Sequence, residues 1–201
     1  MQDMNIFVLD ENIKVCAKYH CDKHVVKMIL EHAQMICTTH HLCYNDSLYY
    51  KIPYKKTHEN HPCARWVRDS LANYFWLLAL TKELNNEYRF RYNKSVDHKS
   101  WTAIKDLPLP KIKNIGLTKW ARAMPQEAKI GKNIINSYRN YYKTHKQHIL
   151  SYTNRQKPLF LLEIWKPTGF HFKKNFRGLD DSYPIEDSAY GPQTDRTSCA
   201  I

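Results

Sequence analysis

Glycine is scarce in this chain: five residues in 201, about 2.5% against a usual ~7%. Neither G-x-G-x-x-G nor G-x-x-x-x-G-K-[ST] occurs, so Rossmann and P-loop chemistry have no support, and helices joined by modest loops fit better than turn-rich architectures. No apolar run approaches the ~18 residues that a bilayer-spanning helix needs, so no membrane partner is expected. None of the six cysteines (Cys16, Cys21, Cys37, Cys43, Cys63, Cys199) lies in a C-x-x-C pair. The first twenty residues carry Asp3, Asp10, Glu11, Lys14 and Lys18 rather than a secretory apolar stretch. The thiols are therefore expected to be reduced and the protein intracellular, which makes the sequons at Asn45 and Asn93 chance matches.

Acidic residues are also in deficit, with 19 against 31 basic ones, and the formal net charge is +12. The surplus is local. Residues 101–178 hold 16 basic and three acidic groups, whereas residues 1–100 hold 14 and 11 and residues 179–201 hold one and five. Such an excess suits an anionic partner, nucleic acid first. With 43% apolar and 13% aromatic residues the chain has enough to build a core.

The periodicity predicts a mainly α fold, a single-domain helical bundle around a long central helix. The domain is expected over 1–178, with its core at about 4–148, an irregular basic region at 149–178 and an acidic tail at 179–201. Residues 5–9 read as a short strand or an extended lead-in, with Asp10 placed to cap a helix over Ile13–Tyr19. A second helix is expected from Asp22 to about Cys37, with Val25, Val26, Ile29, Leu30, Ala33, Ile36 and Cys37 on its apolar face and Lys23, His24, Lys27, Glu31 and Gln34 opposite. Residues 44–62 read as a loop. The stretch from Ala64 to Tyr92 has no internal proline or glycine and predicts one long central helix. Residues 106–125 read as a connection, and a helix is expected from Pro125 to near His148.

The densest group of reactive side chains is Tyr19-His20-Cys21-Asp22-Lys23-His24, at a helix entrance where a tuned acid or base can sit. Asp22 read alone is first an N-cap, a role that does not preclude catalysis. His20 with His24, His40-His41-Leu42-Cys43 and His58-Glu59-Asn60-His61-Pro62-Cys63 are His/Cys concentrations, yet none has zinc-motif spacing, so neither metal nor cofactor is assigned. Lys55 and Lys56, followed by Arg65 and Arg68 at a helix start, suit phosphate. Lys119, Arg122 and Arg139 fall in the basic stretch, interleaved with Trp101, Trp120, Tyr138, Tyr141 and Tyr142, a composition that suits nucleic acid with exposed bases.

The run from Met4 to Glu11 with Cys16-Ala17-Lys18-Tyr19-His20-Cys21-Asp22-Lys23-His24-Val25-Val26-Lys27-Met28-Ile29-Leu30-Glu31 looks like small helical proteins of phages and large DNA viruses. More distantly, over roughly residues 4–92, the order of elements resembles the pyrimidine-dimer DNA glycosylase (phage endonuclease V) family. The resemblance implies a viral DNA-repair enzyme in which Asp22, one residue offset from the family position, orients the nucleotide sugar and stabilises an oxocarbenium ion. His20 and Lys23 or His24 stand where that family has phosphate-gripping arginines. The family's nucleophile is an N-terminal amine exposed by loss of the initiator Met. Here Gln2 is too large for that trimming, which leaves water activated by Asp22, or a lysine such as Lys23 or Lys27.

The sequence thus points to an N-glycosylase-like DNA-processing enzyme. Asp22 is its expected acid/base, with His24, Lys27, His58 and His61 around the reacting centre. His20, Lys23, Lys55, Lys56, Arg65, Arg68, Lys119, Arg122 and Arg139 are expected on the polyanion. Two rivals stand beside it: a non-enzymatic nucleic-acid-binding or viral assembly protein, and a metal-dependent nuclease or hydrolase with a His/Cys site.

Overall fold

A computed structural model describes residues 4–43 and 51–162, all within one compact unit of the chain. Among the described residues there are six α-helices and no strand: α1 (Ile13–Tyr19), α2 (Asp22–Cys43), α3 (Pro62–Asp69), α4 (Leu71–Arg91), α5 (Lys99–Ile104) and α6 (Ile134–His145), with 3-10 turns at Gln126–Ala128, Gln147–Ile149 and Leu159–Leu161. None of these helices is long and apolar enough to cross a membrane. The mainly α, single-domain architecture is as the periodicity predicts. The acidic tail at 179–201 and residues 163–178 of the basic region lie outside the described residues, as do residues 44–50 of the predicted loop.

Helices α2 and α4 run antiparallel, as three polar pairings along them record. Asp22 meets Arg91, His32 Nδ1 meets Thr81 Oγ1 at 3.0 Å, and His40 Nε2 meets Tyr74 Oη at 2.9 Å. Helices α2 and α4 pack on each other, and Val25, Met28, Ile29, Ala33 and Ile36 of the first and Leu77, Leu80 and Leu84 of the second are all fully buried. Each such large side chain contributes about 1.5–3 kcal/mol by leaving water. Helix α4 also packs on α1, α3 and α5, which makes it the centre of the bundle.

The structure corrects four local expectations. The helix expected from Ala64 to Tyr92 is two helices, broken at Ser70 (φ −153°, ψ 145°). The buried Ser70 hydroxyl accepts from Ala72 N–H and from Ile115 N–H, so a cap and a long-range tie outweigh the unbroken helical pattern. Ser70→Ala is expected to cost about 1–2 kcal/mol, read as a lower midpoint in urea unfolding. Second, α1 is capped by Asn12, which accepts from Lys14 and Val15 N–H, while Asp10 accepts from Asn12 N–H and from Arg139 and bonds no N–H of the helix. Third, α2 continues to Cys43, with the Thr39 hydroxyl bonded back to Met35 O. Fourth, the helix expected from Pro125 is a single 3-10 turn. Gly131, at φ +54°, takes the left-handed conformation that glycine adopts freely, and α6 begins anew under an Asn133 cap.

Residues 4–9 are neither helix nor strand. They run extended and wholly buried, so their successive side chains must be covered on opposite sides. Asn5 and Phe7 each meet both α2 and α6, and this threading positions the site described next.

Candidate functional site

The polar cluster at the α1–α2 junction is a clasp. The break between the helices strips the Lys18 and His20 carbonyls of helical partners, and Arg91, at the end of α4, donates to both at 2.9 and 2.8 Å. Its guanidinium also donates to Asp22 Oδ1 and Glu87 Oε2, each at 3.0 Å, and the side chain is fully buried. A buried cation of this kind is tolerable only when paired on every side. Arg155 completes the cluster with two bonds to Glu87, at 3.0 and 2.8 Å.

Asp22 is saturated. Thr153 donates to it through its backbone N–H (3.0 and 2.9 Å) and its hydroxyl (2.9 Å), in addition to Arg91. Burial alone would raise its pKa, but the bonds from Thr153, Arg91 and Ser151 outweigh that and hold it below the ordinary carboxylate value. A carboxylate held this way stays ionised and has no lone pair left for a reacting proton. These bonds tie α2 to α4 and to residue 153 through Asp22. The N-cap reading of Asp22 is corrected, because the carboxylate bonds to α4 and to residue 153 rather than to the N–H groups of its own helix.

His20 is corrected as well. It is fully buried, and its Nδ1 must donate to the Cys16 carbonyl at 2.8 Å. Burial lowers its pKa to about 4, so it is a neutral core imidazole and no phosphate clamp. Burial likewise lowers His24 to about 2, His32 to about 3 and His40 to about 4. The unfolded chain binds protons at these four positions below their ordinary 6.5 while the folded protein does not. The stability they permit is complete above pH 6.5 and declines as pH falls. The thermal midpoint is expected to drop between pH 7 and pH 5; a flat profile would contradict this burial.

A second cluster forms where residues 4–9 pass between α2 and α6. Phe7 stacks on His24 (centroids 4.4 Å apart, 18° between planes) and on Tyr141 (5.9 Å, 24°). The Lys146 ammonium lies 4.8 Å from the Tyr141 ring centroid. The His24 Nδ1 pairs with the Tyr142 hydroxyl. Beside them Glu31, 6% exposed, accepts from Asn5 N–H at 3.0 Å and lies 3.0 Å from the Lys27 ammonium, one turn back on α2. Burial raises the Glu31 pKa, and Lys27, Asn5 N–H and the charge of Lys146 only partly offset it.

The Asn5 side chain is fixed by donation to Ala123 O (2.7 Å) and acceptance from the Tyr138 hydroxyl (3.1 Å). Asn5 and Tyr141 line an open cleft of about 350 Å³ with Met4, His61, Pro62, Arg122 and Ala123–Pro125. That volume is within the ~300–1,000 Å³ range of small-molecule sites. Glu31 does not line the cleft but accepts from the backbone N–H of Asn5, which does, and its partner Lys27 keeps 37% of its side chain exposed.

Of the residues expected at the reacting centre, His24, Lys27 and His61 belong to this neighbourhood, and Asp22 and His58 do not. His61 caps α3, accepting from Cys63 N–H at 3.2 Å, while His58 is exposed on the preceding loop beside Thr57. Lys23, Lys55 and Arg65 are exposed, Lys56 pairs with Glu59 at 2.7 Å, and Arg68 donates to the Glu59 carbonyl. Arg139, expected on a polyanion, instead donates to Leu9 O and Asp10, each at 2.8 Å, and its guanidinium faces the Tyr19 and Phe160 rings. Those bonds spend it on packing. Among the described residues no three His, Cys, Asp or Glu side chains gather as a metal site would require.

Sequence reading gave no site role to Glu31, Asn5, Phe7 and Lys146, and named Tyr141 only among the aromatics of the basic stretch. The available signal was Glu31 four residues after Lys27, beside an extended segment too apolar to be covered on one side only. The chain matches no family model, no curated protein and no solved structure.

Proposed function

We propose that this protein is a DNA-processing N-glycosylase whose reacting carboxylate is Glu31, with the excised nucleotide in the cleft beside Asn5 and Tyr141. The observation that carries this reading is the buried Glu31, its pKa raised by desolvation, paired with Lys27 behind a cleft with aromatic and cationic walls.

A carboxylate that binds its proton more tightly than usual is, when ionised, a stronger general base. Water adds its oxygen to C1′ of the sugar as the bond from C1′ to the base nitrogen breaks. One water proton passes to Glu31, the electron pair of the broken bond leaves with the base, and that base takes up the proton. Glu31's negative charge favours the oxocarbenium-like transition state, and Lys27 holds the carboxylate in place. The edge of Tyr141, fixed between Phe7 and Lys146, borders the extruded base, and Arg122 offers a cation to its phosphate.

Duplexes carrying deaminated, alkylated or ultraviolet-damaged bases, incubated with the protein without added metal, are expected to release free base from at least one class. Tight binding with no release from any would favour the non-enzymatic rival. Lys27→Met is expected to slow release about tenfold through loss of Glu31's positioning.

A further inference from the structure

Arg122 lines not one cleft but two. The second, about 510 Å³, is formed by Leu117–Trp120, by Lys132 and by Asn133–Ile135 at the start of α6, with Glu11 the one carboxylate among its lining residues.

Three features give this cleft a preference for a nucleotide. Arg122 is anchored through a single nitrogen: Nη2 donates to Gly131 O (2.8 Å), Ser137 Oγ (2.7 Å) and Ile130 O (3.4 Å). Its Nε and Nη1 have no partner among the described residues, so a fixed fork keeps N–H groups free for an anion. Lys119 and Lys132 add exposed positive charge, and the twelve-residue α6 directs the positive end of its dipole at the same space. Trp120 packs edge-on against Trp76 (5.6 Å, 63°) and lines the cleft. Its indole N–H is shielded from solvent, so what Trp120 offers a base is ring surface.

We infer that the second cleft binds the nucleotide next along the strand to the one in the first, with the phosphodiester that joins them on Arg122. The substrate is then a strand segment of at least two nucleotides, and a free nucleoside is excluded as the natural one. This rests on the first cleft being a nucleotide site.

The test compares deoxyadenosine monophosphate, the dinucleotide d(ApA) and a ten-residue oligodeoxyadenylate, with binding followed by tryptophan fluorescence and by titration calorimetry. The full chain is expected to bind d(ApA) at least about tenfold more tightly than the mononucleotide. A Lys119→Ala/Lys132→Ala variant is expected to lose that preference, to bind the oligonucleotide about tenfold more weakly and to show a shallower salt dependence. Both lysines are exposed, so this variant keeps the fold. Trp120→Phe is expected to retain ring stacking but lose the fluorescence change. Equal binding of mononucleotide and dinucleotide by the full chain, or an unchanged oligonucleotide affinity in the lysine variant, overturns the inference. Base release is a separate readout: if no substrate releases base while the dinucleotide preference maps to this cleft, only the glycosylase chemistry falls.

Discussion

Glu31→Gln is expected to lower single-turnover base release by about 10²–10⁴-fold, the usual range for loss of a general base. The substitution keeps an oxygen to accept from Asn5 N–H and preserves shape, so what it removes is charge and basicity. It also separates catalysis from stability. The folded protein holds the Glu31 proton more tightly than the unfolded chain does, so ionisation of Glu31 costs folding free energy at pH values above its ordinary 4.5. At neutral pH the glutamine variant is therefore expected to melt at or above the wild-type temperature, unlike most substitutions at buried polar sites. In the wild type the acid limb of the rate profile is expected above the range of an ordinary glutamate, because the base must be ionised to act.

Arg91→Met is the counterpart, with a large effect on the fold. It leaves Asp22 and Glu87 buried with their shared cation gone and strips the Lys18 and His20 carbonyls of their donor. Removing one partner from a buried ion cluster costs on the order of 3–5 kcal/mol. For a domain of this size that lowers the thermal midpoint by roughly 10 °C. The pKa of Asp22 is depressed, so its contribution is present above its ordinary 3.8 and is lost as pH falls through its lower folded value. The arginine variant is accordingly expected to close part of its deficit in acid, where Asp22, without its cation, takes up a proton.

Much of the fold was legible because it depends on local pattern. The apolar stripe of α2, the breaker-rich stretch 106–125 and the apolar centre of α4 each announce themselves within one element. The break at Ser70 did not, since serine is compatible with a helix interior and only its buried tie to Ile115 N–H decides the matter. The site was harder to see for the same reason. On a helical wheel Glu31 and His24 fall with Lys23 and Lys27 on the wet face, and they are dry only because residues 4–9 lie across them. The reactive-looking Asp22 is the converse case. A short acidic and basic cluster at a helix entrance signals an ionised carboxylate with partners, and the partners supplied from α4 and from residue 153 decide that it fastens the chain.

The resemblance to pyrimidine-dimer glycosylases led to Asp22 through its position after Tyr19-His20, whereas burial and basicity lead to Glu31, nine residues farther along the same helix. The two carboxylates make opposite demands. Asp22 must stay ionised and fully bonded to hold three segments together, and Glu31 must accept and return a proton.

The account is tested most directly by measuring single-turnover base release for Glu31→Gln and Asp22→Asn side by side, normalised to the folded fraction from circular dichroism. The expected result is near-complete loss of release in a stable Glu31→Gln protein, and a destabilised Asp22→Asn protein whose folded molecules react at close to the wild-type rate. Wild-type release by Glu31→Gln, or loss of release in fully folded Asp22→Asn, would contradict it.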